Sequence, residues 1–187
     1  SQLSVSDLLL VKEDGQIIQG NRPINPAAFA IHSSIHKARP DVNSAAHAHS
    51  IYGRTFSSLG KLLDPITQDA ALFFQEQAIY DSYGGVAFDI EEGLAIAEAL
   101  GEKRTAILQN HGLLTTGASV DIALWLFIAM DKCCQSQLLA DSAGSPIIIS
   151  DEIALQAKAQ AGTDMILWAS FQPLYDLIYE LEPDFLK

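Results

Sequence analysis

In the stretch "SAAHAHSIYG", His47 and His49 stand one residue apart at the end of a run of small apolar residues. In a strand, residues i and i+2 project from one face, about 6.6 Å apart along the chain, and two imidazoles so placed can meet one ion at about 2.0–2.1 Å. Such a pair is half a metal site; the alternative is two ordinary histidines in a strand. His111, in "AILQNHG", is the candidate third ligand. It falls where a strand should end, a usual place for sites in open α/β sheets, and Gly112 beside it lets the backbone turn tightly. Three histidines leave one or two coordination positions open, which is the arrangement of a catalytic rather than a closed structural site. His32 and His36 lie at i and i+4 of a helical segment with no third partner near in sequence. They are read as helix-face residues, with His32 standing behind the ligands.

The elements that must position these residues follow from turn and cap chemistry. Leu8 to Val11 reads as a strand, and the Glu-Asp-Gly turn leads to Ile17 and Ile18 as its hairpin partner. Asn25 and Pro26 start a helix whose apolar residues Ala28, Ile31 and Ile35 recur at helical spacing until Pro40 stops it. Arg39 and Asp41 then fix the turn into the strand "VNSAAHAHS", and "IYGRTFSSLG" is a short helix closed by Gly60. Residues 61–88 carry turn signals at Asp64-Pro65 and Gly84-Gly85 and read as short strands with an irregular connection. "DIEEGLAIAEALGEK" is a helix with acidic residues in its first turn and Gly101 past its end. "RTAILQN" is a strand and "HGLLTTG" a turn with a further short strand. A long, mostly buried helix then runs to Gly144, with Trp125, Phe127 and Met130 at core spacing. Two more helices, from Asp151 to Gly162 and from Asp164 to Leu181, finish the chain. Trp168, Phe171 and Tyr175 in the last are read as core or subunit contacts. Strands alternating with helices predict a layered α/β architecture, and one domain over 1–187 is the simplest account.

Composition removes several classes of function. With 187 residues, 49% apolar and 18% charged, the chain can fill one core, and its net charge of -12 makes nucleic acid and anionic membranes poor partners. Cys133 and Cys134, the two cysteines, are adjacent in a helix and exclude a disulfide framework; they are read as packing residues, and a reducing, cytoplasmic setting fits. Asp121 and Asp131 bracket the longest apolar run and keep it short of the roughly 18 residues of a membrane span. The chain opens without an initiating Met and close to its first strand, so a domain incomplete at its N-terminus is expected.

"ARPDVNSAAHAHS", then "AILQNHGLLTTG", then a long helix with an embedded Trp resemble, in that order, the class II aldolase/adducin family, from about Asp7 to Asp141. The resemblance implies a class II aldolase-like fold, a central, mainly antiparallel sheet flanked by helices. It also implies tetramers with active sites at subunit interfaces, and a divalent ion, usually zinc, on the positions of His47, His49 and His111. The family's catalytic Glu falls on Ala28 and the Tyr of the sugar-phosphate aldolases on Gln68, while the phosphate-binding loop belongs to the N-terminal part that this chain lacks. "PITQDAALFFQEQAIYDSYGGVAFD" resembles instead a further bacterial and fungal branch, in which Glu76, Gln68 or Tyr83 would substitute for the missing base.

The function expected from this is a metal-dependent lyase, of aldolase or decarboxylase type, that acts on a small carbonyl or hydroxy-carbonyl compound through a metal-stabilised enediolate. The ion is expected to be Zn2+, with Fe2+, Mn2+ or Co2+ as alternatives. Asn25, Asn110 and Gly112 are candidates for substrate binding. Two competing readings stand: a non-haem Fe(II) oxygenase on the same fold, since three histidines with open positions also suit iron, and a non-catalytic, adducin-like scaffold.

Overall fold

A computed structural model describes residues 3–85 and 90–187. The opening hairpin joins β1 (Leu10–Val11) to β2 (Ile17–Gln19) antiparallel across the Glu-Asp-Gly turn. Helix α1 (Pro26–Ala38) starts as its sequence dictates: Asn25 accepts the Ala28 N–H on its side chain at 3.2 Å, and Pro26 occupies the first helical position. At its other end Arg39 grips both oxygens of Asp41, at 2.8 and 2.6 Å, and donates to the Gly101 and Lys103 carbonyls. One guanidinium fork thus fixes the turn out of α1 and ties it to a distant loop.

The central sheet has the order β3-β6-β5-β4, formed by β3 (Ser44–Ala48), β4 (Gln77–Tyr80), β5 (Thr105–Leu108) and β6 (Gly112–Gly117). Two of its three pairings are antiparallel, β3 with β6 and β6 with β5, while β4 runs parallel to β5, so the sheet is mixed. Strand alternation divides the core. Ala106, Leu108 and Leu114 meet Ile31 and Ile35 of α1 and Ile96 and Leu100 of α4 (Ile90–Leu100) on one face. Ile107 and Leu113 meet α2 (Ile51–Ser57) and the long α5 (Val120–Ala143) on the other, through Phe56, Leu126 and Met130. Helices α1 and α4 pack closely because Gly93 carries no side chain: a Cβ there would lie 2.2 Å from the Ala30 carbonyl oxygen.

The segment from 61 to 88 is less stranded than expected. It holds one strand, β4, and a four-residue helical turn, α3 (Gln68–Ala71), capped by Thr67; residues 86–88, the end of that reading, lie outside the described residues. Its irregular stretch is anchored by Gln77, whose buried amide donates to the Leu63 carbonyl and accepts the Leu63 N–H. Helices α6 (Asp151–Ala161) and α7 (Asp164–Leu181) complete the chain, the latter continuous through Pro173. Trp168 and Tyr175 are not core residues: both are about half exposed, and Tyr175 stacks on Tyr179. Cys133 and Cys134 are buried free thiols, and burial pushes Cys133 up to about 12. Among the described residues no helix is long and apolar enough to cross a membrane.

Candidate metal centre

His47 lies in β3 opposite Leu114 of β6, so its ring projects on the α1 face of the sheet, and His49 follows it from the same side just past the strand end. His111 arrives through the tight β5–β6 connection, where its N–H donates to the Leu108 carbonyl at 3.0 Å. The three rings meet in one cluster with centroids 5.2, 4.8 and 4.7 Å apart, and one nitrogen of each lies within 4.8 Å of the others. Residues separated by the whole of α2 to β5 are thus brought together by the pairing of β3 on β6.

The turn is built differently from the sequence expectation. Asn110, not Gly112, takes the left-handed conformation, with φ 58°, which Asn tolerates better than most residues, and its N–H donates to the Ser57 carbonyl at 3.3 Å. Gly112 has a different reason to be Gly: a Cβ there would stand 2.8 Å from the Ala48 carbonyl oxygen and 3.4 Å from the His49 ring. Both residues, expected to bind substrate, act through the backbone that sets the ligands.

Burial tunes the rings. His47 is pushed down to about 4, chiefly by desolvation, against the opposing effect of its bond to the Leu113 carbonyl and with help from His111 and His49. His111 is lowered by burial and then by His49. A metal needs neutral imidazoles, and these two are held neutral at physiological pH. His47 Nδ1 donates to the Leu113 carbonyl at 2.8 Å, which fixes its tautomer and presents Nε2 as the free lone pair. The Nδ1 of His111 is buried and makes no hydrogen bond among the described residues. An orphaned buried nitrogen beside two further imidazoles fits a soft-to-borderline divalent cation. His32 stands behind this cluster: burial, then His47 and His36, lower it to about 4.

The cluster opens into a cavity of about 680 Å³. Its far wall is the start of α1, with Asn25, Ala27, Ala28 and Ile31, and Tyr83 flanks it with its ring centroid 6.2 Å from that of His111. Of the three residues expected to supply a base, only Tyr83 is placed here. Glu76 sits before β4, where its carbonyl accepts from Thr105 at the start of β5, and its side chain pairs with Lys158 of α6 at 3.1 Å. Because β4 and β5 are parallel, the length of the sheet, about 13 Å for four residues, separates Glu76 from the His111 end. Gln68 is exposed at the start of α3 and does not line the cavity. The sequence reading overlooked the Leu113 carbonyl as the group that orients His47. The hairpin register implied by "HGLLTTG" against "SAAHA" was the available signal.

A three-histidine cluster on this mixed sheet, with an open cavity before it, defines a class of proteins, and comparison with known proteins identifies it. The profile of the Class II Aldolase and Adducin N-terminal domain matches residues 1–138, and the chain belongs to that family. It is 40% identical over 185 residues to decarboxylase NovR of Streptomyces niveus, covering 98% of this chain and 68% of that protein. It is equally 40% identical over 185 residues to a protein of Streptomyces roseochromogenus subsp. oscitans named 4-hydroxy-3-prenylphenylpyruvate oxygenase/4-hydroxy-3-prenylbenzoate synthase, covering 98% of this chain and 67% of that one. The solved structure of L-fuculose 1-phosphate aldolase from Glaciozyma antarctica PI12 superposes with a TM-score of 0.89 at 40% identity, covering 100% of this chain and 73% of that one.

Proposed function

We propose that this chain is a divalent-metal-dependent lyase, of aldolase or decarboxylase type, that acts on a small carbonyl or hydroxy-carbonyl compound. The observation that carries the reading is the convergence of His47, His49 and His111 on one point beside a cavity large enough for a small molecule. Zinc suits the donor set best, since three nitrogens leave a tetrahedral ion one open position. When bound, the ion would supply Lewis-acid polarisation of a carbonyl oxygen and a counter-charge for electrons released by a breaking carbon–carbon bond.

The chain's own residues do the rest. His47 is held in one tautomer by Leu113, so that the ligand set is preorganised before metal arrives. Tyr83, at the cavity beside His111, is the candidate general acid/base, able to deliver a proton to the substrate from its phenol. Asn25 contributes the polar side chain that α1 brings to the cavity, and it is a candidate for holding a substrate oxygen. The apolar side chains that α7 leaves exposed, among them Trp168, Leu177 and Ile178, offer surface for the subunit contacts of a homotetramer.

A second reading, a non-haem Fe(II) oxygenase, is favoured by one observation, the 40% identity to a protein named as an oxygenase. One experiment separates the two. The protein is purified without added metal, analysed for metals, and incubated with 2-oxo and 2-hydroxy acids while oxygen and carbon dioxide are followed. About one equivalent of zinc, manganese or cobalt per chain, with turnover independent of oxygen, supports the lyase. Iron with stoichiometric oxygen uptake supports the oxygenase. Protein that remains empty on titration overturns both and leaves the adducin-like scaffold.

A further inference from the structure

The wall of the cavity facing the histidines is made of side chains that cannot hydrogen-bond. Ala27, Ala28 and Ile31 present only methyl and methylene groups over one turn of α1, and Tyr83, 47% exposed, adds an aromatic ring. The helix start behind them is already occupied: Pro26 has no N–H, and Asn25 takes up the Ala28 N–H with its own side chain. Polyhydroxylated or phosphorylated groups pressed on this wall would give up water without receiving partners. A dianionic phosphate would in addition enter the field of a chain with a net charge of -12. An apolar body gains from the same wall by leaving water.

We infer that the compound taken by this cavity carries an aromatic or branched aliphatic body on a 2-oxo or 2-hydroxy acid head, and is not a sugar phosphate; the inference rests on the metal reading above for the head and on the α1 wall for the body. The head belongs at the histidine end and the body along Ala27, Ala28 and Ile31. Ala28 is then the specificity-determining position, since it lies on the wall without belonging to the buried core that Ile31 helps to form.

The test is binding, measured on Co2+-loaded protein by the visible ligand-field spectrum and by calorimetry, with phenylpyruvate, pyruvate and dihydroxyacetone phosphate as probes. Phenylpyruvate should bind at least about tenfold more tightly than either of the others, the scale on which an apolar pocket discriminates. Ala28→Trp, which fills the wall, should abolish that advantage and leave the cobalt spectrum and pyruvate affinity intact; Ala28→Leu, a smaller intrusion, should reduce it partway. Tighter binding of dihydroxyacetone phosphate, or phenylpyruvate affinity unaffected by both variants, overturns the inference. If the protein takes up no cobalt, the metal reading fails by itself. Phenylpyruvate binding to the metal-free protein that Ala28→Trp removes would still support the apolar wall, and no binding at all would overturn it.

Discussion

The two ends of the central sheet carry cavities of opposite character. At one end three imidazoles of like kind face each other without counter-ions, and burial keeps His47 and His111 from charging. At the other, a cavity of about 210 Å³ holds Glu76 and Lys158, which pair at 3.1 Å, and Arg104, which pairs with Asp164 at 2.8 Å. The second end has satisfied its charges internally, and what remains is lined by Leu72, Phe73 and Leu167. The first has gathered basic lone pairs and left a buried nitrogen of His111 without a hydrogen bond. Clustered titratable groups therefore do not by themselves mark a reactive site; clustered groups that cannot neutralise one another do.

The largest test of this contrast is the double variant His47→Ala, His49→Ala, which removes two of three ligands. It should purify without the metal equivalent of the wild type, and chelator should no longer lower its melting temperature, because the ligand-linked stabilisation of about 3 kcal/mol at a hundredfold excess over Kd is gone. Retained metal would move the site elsewhere. Next comes Tyr83→Phe, which should keep its metal and lose about a hundredfold in kcat, the lower range for removal of a general acid/base; unchanged kcat would assign the proton transfer to another group.

Gly112→Ala acts through the backbone. Its Cβ must displace the Ala48 carbonyl and crowd the His49 ring, so Co2+ affinity should fall by about tenfold, with a loss of about 1–3 kcal/mol in stability by denaturant titration. Wild-type affinity would mean that the β3–β6 approach can relax. The smallest effect belongs to the other end: Glu76→Gln breaks an ion pair that is partly open to solvent, 31% and 22% exposed, at a cost below about 1 kcal/mol, and should leave metal content and kcat unchanged. A large fall in kcat with metal retained would bring Glu76 into a neighbouring subunit's site and erase the distinction between the ends.

The sequence by itself determined what is local. Asn25-Pro26 starts α1, Thr163 caps α7, and Gly101 follows α4 in the left-handed conformation, because caps and turns are decided by a few adjacent side chains and backbone angles. His-X-His in a strand puts two rings on one face for the same reason, and the Arg-Pro-Asp turn into that strand was legible from Pro40 and its neighbours.

Only the tertiary structure decided which distant residues share the site. Glu76 and Tyr83 lie seven positions apart around β4, and a sequence offers both as bases. The parallel pairing of β4 with β5 sends one to each end of the sheet, and strand direction depends on long-range pairing that no local pattern encodes. Ala28 and Ile31 read as helix residues with one buried face, yet the close approach of α1 to the β3 end makes them a wall of the cavity as well. Asn110 and Gly112 were legible as a turn, but the division of labour between them was not. The left-handed residue is set by the β5–β6 register, and the need for Gly by how closely the Ala48 backbone approaches across the sheet.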